Sequence, residues 1–495
     1  MSDSTTTTAT PSPVKPVERA AGTLDELSGA PKKSRILGVD ATRGLALLGM
    51  IAVHVYFQAF TSTDTPPRAW MLAWAVAAGR TATTFILVAG VSLALMTGGR
   101  RPVQGRSRAA ALASLTVRAL LIGSIGLGLG YIDRDADVIL PYYAVLFLLA
   151  LPLVGLRPRV LACAAGLIAV VVPVLMQAIG GYLHHAAFYS NPTFGSVGHP
   201  FDLAVTLLIT GVYPALPGMA YLCAGLAIGR LNLASARVAA GLCAGGLALA
   251  IGAWVTSWVL LYPMGGLQQL AYTAPGGMDW AKTQQVILRG PDYASSWWDS
   301  PWWGYTSWWR LASPAPYSST PVDLVHTLGA AMALLGAVLL LTRIILVARV
   351  LRPVAVAGSM TLTLYSAHVL FVATGLLEDH PSLSYLLQVA AAFVFAVVWR
   401  RTRGQGPLEA LVAKAAGRAR RAVASDGGSG DRPGAGWSRS PRRGPGSVRN
   451  TSRLVETNSF IGRFPAAAAA QDGKSNESSG SRGGGRTGAG SGIAS

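Results

Sequence analysis

The chain has 495 residues, of which 51% are hydrophobic and 13% are charged, and its formal net charge is +19. Apolar runs of about 18 residues or more recur along it, which excludes a soluble globular domain and indicates a polytopic, all-α integral membrane protein. The charge does not indicate nucleic-acid binding. Residues 401–495 hold 16 basic and 6 acidic side chains, about half of the net charge, and contact with anionic inner-leaflet lipids accounts for such a tail.

The first 34 residues are polar and rich in Thr, Ser and Pro, and they lack the apolar segment of a signal peptide. We expect a disordered cytoplasmic arm over residues 1–34, followed by a transmembrane domain over residues 35–404. About ten spans are predicted in this domain: 42–60, 80–98, 109–130, 138–156, 160–181, 201–229, 238–261, 323–342, 354–376 and 383–400. The three cysteines lie inside apolar runs, so neither a disulfide framework nor a cysteine metal site is expected.

Arginine is distributed unequally between alternate loops. The segments 98–108, 156–159, 230–237 and 343–352 together hold eleven arginines and no acidic residue, whereas the other loops carry more acids than bases. Short loops rich in Lys and Arg remain on the cytoplasmic side. Both termini are therefore expected inside, in a multi-pass protein of the plasma membrane.

Two polar residues lie in the first predicted span. Arg43 and His54 are eleven positions apart, which on an α-helix is about 16 Å of rise and about three turns, so both side chains share one face. A charge at the membrane boundary and an imidazole near mid-bilayer indicate a functional site. The alternative is a snorkelling arginine beside a histidine that only binds a neighbouring helix.

All seven histidines fall in the outer half of a predicted span or in an outer loop. His368 lies in the ninth span at a depth similar to that of His54, with Tyr365 one turn below it on the same face. Its alternative role is that of a hydrogen-bonded packing histidine. Three others are interpreted as ordinary loop histidines: His184, His185 and His380. No His-x-x-x-His pair or convergent carboxylate set is present in the sequence, so no metal site is expected.

The sixth predicted span is irregular, because the stretch from Thr210 to Gly218 contains two prolines and two glycines. Such a run forms either a kinked helix or a broken helix whose freed backbone groups line a cavity. His199 and Asp202 lie at its outer entrance. Together with His326, they are the candidates for binding an acceptor substrate.

Three further segments complete the predicted organisation. The outer loop over residues 262–322 contains paired tryptophans, which are typical of interfacial anchors, with stacking against sugar rings as the alternative. Residues 405–424 form a basic amphipathic juxtamembrane stretch, which we expect to lie on the anionic inner leaflet. Residues 425–495 are rich in Gly, Ser, Arg and Pro and are expected to be disordered.

Several stretches carry a family resemblance: Val39–Ala46 with His54, Phe85–Ala94, Leu208–Pro214, Ala224–Arg230 and Met360–His368. Through them the chain resembles the transmembrane acyltransferase superfamily, and within it bacterial relatives of heparan-α-glucosaminide N-acetyltransferase, over residues 35–410. The spacing of Arg43 and His54 matches that of the wider acyltransferase group, whose arginine and histidine are required for transfer. The chain has no equivalent of the polar Asn-Tyr stretch of the lysosomal enzyme, so that enzyme's amino-sugar acceptor is not carried over.

The resemblance implies an acyl-CoA donor, with acetyl-CoA expected, that approaches from the cytosol. Arg43, Arg100 and Arg101 would meet its phosphates. Asp40, one turn before Arg43 on the same helix, would orient it by ion pairing.

The resemblance also implies roles for the intramembrane residues. His54 would act as general base or carry the acyl group itself, while His368 and Tyr365 would orient it or stabilise an oxyanion. The acyl group would pass to a hydroxyl or amine of a glycan, cell-envelope or lipid-linked acceptor at the outer face. The expected partners are membrane lipids, this acceptor and a second copy of the chain in a homodimer, with no nucleic acid.

Two other functional classes remain open at this point. A secondary transporter would also have polar residues near the membrane midplane and a broken helix. The predicted spans show no convincing internal repeat, which weakens this alternative. A non-catalytic membrane scaffold would need Arg43 and His54 only for packing.

Overall fold

The computed structural model describes residues 36–61, 67–132, 136–183, 191–273, 284 and 307–425. The predicted N-terminal arm, the tail after residue 425, His184 and His185, and most of the tryptophan-rich loop lie outside the described residues. In the part of the chain that is described, every regular element is helical. The predicted all-α fold class is therefore confirmed.

The described residues form the following α-helices. In chain order they are α1 (Leu37–Thr61), α2 (Arg68–Ala77), α3 (Arg80–Met96), α4 (Gly105–Leu129), α5 (Leu140–Ala150), α6 (Pro158–Leu183), α7 (Pro200–Val205), α8 (Ala215–Gly229), α9 (Ala236–Leu261), α10 (Gly266–Tyr272), α11 (Pro321–Leu341), α12 (Ile345–Gly358), α13 (Thr361–Ala373), α14 (Pro381–Thr402) and α15 (Pro407–Ser425). Short 3-10 helices occur at Pro152–Gly155, Gly195–Gly198 and Trp308–Ala312, and a π-helix occurs at Thr206–Thr210.

Among the described residues, seven helical segments are long and apolar enough to cross a membrane, or up to nine if each of two bent pairs counts as one span. The number is below the predicted ten because the fourth predicted span, 138–156, is not one helix. It consists of α5, which has 11 residues, and a 3-10 helix that begins at Pro152. Eleven helical residues rise about 16 Å, roughly half of the hydrocarbon core.

Both bent pairs are breaks in predicted spans. The segment Pro200–Thr210 meets α8 at 53°, and α12 meets α13 at 71°. Of the two forms that the proline-rich sixth span allows, the structure therefore shows the broken helix. At this break Gly211 lies against Tyr142, and a Cβ at Gly211 would overlap the Tyr142 hydroxyl.

Helix α1 lies against α2, α3, α11, α12, α13 and α14, so it occupies a central position in the bundle. Its contact with α12 depends on two glycines. A Cβ at Gly44 would overlap the backbone oxygen of Val354, and a Cβ at Gly358 would overlap that of Asp40. The two backbones therefore touch one residue away from Arg43.

The arginine-rich segments lie together at one end of the bundle. Arg230, which is 5% exposed, donates hydrogen bonds to backbone oxygens at the end of α3, in the turn after it and in the 3-10 helix before α6. These acceptors are Ala94, Thr97, Gly99 and Val154. Arg343 donates to the backbone oxygen of Ala234 at 2.5 Å. This clustering agrees with the predicted cytoplasmic side.

The basic segment after the last predicted span forms α15, which packs against α4 with Val412 and Ala416 buried. The Glu409 carboxylate accepts hydrogen bonds from the backbone N–H and the hydroxyl of Thr363, at 3.1 and 2.6 Å. Because Thr363 is in the first turn of α13, this carboxylate binds an N–H that has no partner within its own helix. Helix α15 is therefore attached to the bundle.

Candidate functional site

Two histidines meet inside the bundle. His54 on α1 and His368 on α13 are 3% and 4% exposed, and Nδ1 of His54 lies 2.9 Å from Nε2 of His368. The rings are nearly parallel, with 7° between their planes. The structure thus brings two of the predicted site residues into direct contact. The Nε2 atom of His54 is buried and has no hydrogen-bond partner among the described residues.

The pair continues into α14. Nδ1 of His368 lies 2.6 Å from Oε1 of Gln388, and Nε2 of Gln388 donates to the Ser384 hydroxyl at 3.1 Å. Neither Gln388 nor Ser384 was predicted from the sequence. The available signal was an amide inside an otherwise apolar predicted span, where polar side chains are costly without partners.

Tyr365 packs beside His54, with 6.4 Å between the ring centroids. Its hydroxyl accepts a hydrogen bond from the Ile139 N–H at 3.2 Å and donates one to the Asp137 carbonyl at 3.1 Å. These bonds attach α13 to the residues preceding α5. Because the hydroxyl is occupied in this way, any effect of Tyr365 on His54 would come from its ring, and its predicted catalytic role stays a prediction.

Arg43 lies at the other end of the same helix face. Its Nη1 forms an ion pair with Asp40 Oδ1 at 3.1 Å, as the i,i+3 spacing predicted. Nη2 donates to the Ser92 hydroxyl at 2.6 Å, and Nη1 also approaches the Gly358 carbonyl at 3.4 Å. The guanidinium therefore joins α1 to α3 and to the C-terminal end of α12, with 21% of its side chain exposed.

A further polar group in this region is Tyr143 on α5. Its hydroxyl is buried and has no hydrogen-bond partner among the described residues. It is close enough to both Arg43 and Tyr365 to interact electrostatically with each. The hydroxyl was missed in the sequence because a tyrosine in an apolar run is indistinguishable from a packing residue.

Arg100 and Arg101 lie in the connection between α3 and α4, where they and Gly98 line an open recess of about 460 Å³. Gly98 has a φ of +106°, and a Cβ there would overlap the Arg101 carbonyl. The turn that presents both arginines therefore requires glycine at this position. The recess is at the end of the bundle where Arg43 lies, because Ser92 and the recess belong to the same end of α3.

The three acceptor candidates are not assembled around the histidine pair. His199 is the N-cap residue of α7, and Asp202 is in its first turn. His326 on α11 has both ring nitrogens engaged, with Nδ1 at 2.9 Å from the Ala250 carbonyl and Nε2 at 2.8 Å from Arg80 Nη2. Within the described part of the chain, no hydrogen bond or ion pair joins these three residues to one another or to His54. Their role in acceptor binding stays a prediction.

A small recess lies near the histidine pair, next to the turn between α13 and α14. Val55, which follows His54, and Ser384, which binds Gln388, line it together with residues of the turn between α13 and α14. Its volume of about 10 Å³ corresponds to roughly one water molecule. No group of three or more His, Cys, Asp or Glu that could hold a metal is found in the described ranges.

Residues 35–261 match the family model described as heparan-alpha-glucosaminide N-acetyltransferase, catalytic. This segment belongs to that family of transmembrane acyltransferases. The resemblance predicted from Arg43, His54 and the accompanying stretches is therefore confirmed, and the match supports a membrane acetyltransferase activity in general. A search of curated proteins found no match to the chain. Within the acyltransferase segment lie Asp40, Arg43, His54, Arg100 and Arg101, whereas His368 and Gln388 lie beyond it.

Proposed function

We propose that this protein transfers an acyl group, with acetyl the expected one, from cytosolic acyl-CoA to a hydroxyl or amine at the outer face of the plasma membrane. The acceptor would be a glycan, another cell-envelope component or a lipid-linked molecule. The observation that carries the proposal is the buried His54–His368 pair, in which Nε2 of His54 has no partner among the described residues. An unshared lone pair in a dry interior is what proton abstraction or nucleophilic attack requires.

The cationic groups at the arginine-rich end support the choice of donor. Arg100 and Arg101 line an open recess, and arginine binds phosphate groups with a bidentate fork. The phosphates of acyl-CoA would bind at this end, near Arg43. Its thiol arm would extend along α1 over the rise of about 16 Å that separates Arg43 from His54. The Tyr143 hydroxyl, near Arg43, is available to bind the arm.

Two chemical routes fit the free nitrogen of His54. In the first, the acceptor oxygen or nitrogen attacks the thioester carbonyl while Nε2 removes its proton. The carbon–sulfur bond breaks, and the CoA thiolate receives the proton. In the second, Nε2 attacks the carbonyl, the carbon–sulfur bond breaks and CoA leaves as the thiolate. The acceptor then attacks the acyl-imidazolium, the bond from the acyl carbon to Nε2 breaks, and the acceptor's proton passes to the CoA thiolate.

The broken helix around residues 211–214 favours one competing function, a secondary transporter, because discontinuous helices form the substrate sites of many transporters. Purified protein in sealed vesicles distinguishes the two. Acetyl-CoA is supplied with a panel of acceptors (a hexosamine, a polyol and a lipid-linked sugar), and release of the CoA thiol is followed beside uptake of the soluble acceptors. We expect acceptor-dependent thiol release. Uptake without thiol release from acetyl-CoA would contradict the proposal.

A further inference from the structure

We infer that Gln388 is a positioning residue that sets the direction of the hydrogen bonds in the His54–His368 pair and thereby places the basic lone pair of His54 on Nε2. Gln388 lies outside residues 35–261, the segment that matches the acyltransferase family. The inferred tautomer does not depend on the proposed function, whereas the role of His54 as base or nucleophile rests on it.

The direction follows from the donors and acceptors along the chain of contacts. Oε1 of Gln388, at 2.6 Å from Nδ1 of His368, is an amide oxygen and only accepts hydrogen bonds. Nδ1 of His368 must therefore carry a proton. In a neutral imidazole the other nitrogen is then an acceptor, so Nε2 of His368 accepts from Nδ1–H of His54 across 2.9 Å. The remaining nitrogen of a neutral His54, Nε2, is left with its lone pair.

The orientation of the amide decides this outcome. With Oε1 and Nε2 of Gln388 exchanged, the amide would donate to His368 and every bond in the chain would reverse. His54 would then be protonated on Nε2 and unable to act there as a base. In the structure the amide oxygen faces His368 Nδ1, and the amide nitrogen donates to the Ser384 hydroxyl at 3.1 Å.

Gln388, and not a charged side chain, is the group that fixes the tautomer of His368. His54, His368, Ser384 and Gln388 are between 3% and 7% exposed. Within the described residues, no Asp, Glu, Lys or Arg side chain forms a hydrogen bond with any of them. In Ser-His-Asp triads a carboxylate fixes the tautomer of the histidine. A neutral amide fixes it without a buried charge that would have to be desolvated.

The first test compares two substitutions of similar size in the full-length protein, Gln388→Glu and Gln388→Met. A carboxyl group accepts from His368 Nδ1–H whether or not it is ionised, whereas methionine offers no comparable acceptor. Gln388→Glu is expected to keep most of the turnover. Gln388→Met should lower kcat by about 10- to 100-fold, the range over which activity falls when the outer partner of a metal-bound histidine is removed, with little change in the KM for acetyl-CoA. If Gln388 only fills space, the ranking reverses, because an apolar side chain is tolerated better than a buried carboxyl.

The second test reads the tautomer directly and does not require any acyl transfer. Nitrogen-15 NMR of the histidine-labelled protein, with the His54 signals identified by their loss in His54→Gln, reports which ring nitrogen is protonated. We expect Nδ1–H with a bare Nε2 in the wild-type protein and a mixture of tautomers in Gln388→Met.

Protonation of Nε2 in the wild-type protein would overturn the inference even if Gln388→Met does not fold. An unchanged tautomer in a folded Gln388→Met would overturn the role of Gln388. A protein that shows the expected tautomers but consumes no acetyl-CoA would leave the inference standing and count against the proposed function.

Discussion

Arg43 and His54 lie on one face of α1 but have different surroundings. Arg43 is bonded to Asp40, Ser92 and the end of α12, whereas His54 keeps one nitrogen without a partner in the described residues. A partly exposed, multiply bonded guanidinium suits binding and orientation. A buried imidazole with a free lone pair suits reaction. The two residues therefore belong to different steps of the proposed cycle.

Removal of the guanidinium tests the binding role. Arg43→Ala should raise the KM for acetyl-CoA by about 10- to 100-fold, because hydrogen bonds to charged groups contribute about 1.5–3 kcal/mol, with a smaller effect on kcat. Arg43→Lys should restore affinity only in part, since one ammonium cannot replace a planar fork that bonds Asp40, Ser92 and a phosphate together. Steady-state kinetics with varied acetyl-CoA provides the measurement. Ser92→Ala, which removes only a neutral partner, is the matched control, and an unchanged KM in Arg43→Ala would remove Arg43 from the donor site.

The sequence was informative where one helix holds all the members of a contact. The ion pair of Asp40 with Arg43 and the shared face of Arg43 and His54 follow from helical periodicity alone. Gln388 could not be assigned a partner in this way, because its contact with His368 joins two different helices. Periodicity shows which residues share a face, but it does not show which faces meet.

At the scale of helices, hydropathy located the membrane-crossing segments but not their breaks. The ninth predicted span, 354–376, appears in the structure as two helices, α12 and α13, that meet at 71°. Hydropathy averaged over a sequence window does not change at Ser359 and Met360, where the two helices meet. Neither of these residues is a helix breaker, so the break could not be predicted from them. By contrast, Pro214 and Pro217 marked the break in the sixth span, since proline removes a backbone donor.

The backbone contact between α1 and α12 supports a stability prediction. Gly358→Ala should lower the free energy of unfolding by about 1–3 kcal/mol, the typical cost of overpacking, because its Cβ would overlap the Asp40 backbone. Thermal unfolding in detergent would measure the change.

The control for this substitution is Gly252→Ala on α9, where nothing lies within 4 Å of a built Cβ. Alanine there should leave the unfolding temperature unchanged or raise it, because it favours the helix by about 0.5–1 kcal/mol over glycine. Equal effects of the two substitutions would show that the α1–α12 contact is not close-packed.

At the scale of the whole molecule, α15 is the last helix of the described bundle. The chain after it was predicted to be disordered and lies outside the described residues. Truncation after Gly427 should leave the unfolding temperature and any transferase activity largely intact. Truncation after Gly404 should lower the unfolding temperature, because it removes the packing on α4 and the Glu409 contact with Thr363. Loss of folded protein on truncation after Gly427 would show that the tail is structural. Equal unfolding temperatures for the two truncated proteins would show that α15 is dispensable.

The central claim is that Nε2 of His54 takes part in acyl transfer, and a comparison of His54→Gln with the wild-type protein tests it most directly. A glutamine amide can still donate a hydrogen bond to His368 but cannot accept a proton or carry an acyl group. Release of CoA from acetyl-CoA by the full-length proteins in vesicles is measured beside their binding of acetyl-CoA. We predict that His54→Gln binds acetyl-CoA with wild-type affinity and releases CoA at least about 100-fold more slowly, the lower limit for loss of a general base. Release at the wild-type rate would contradict the account.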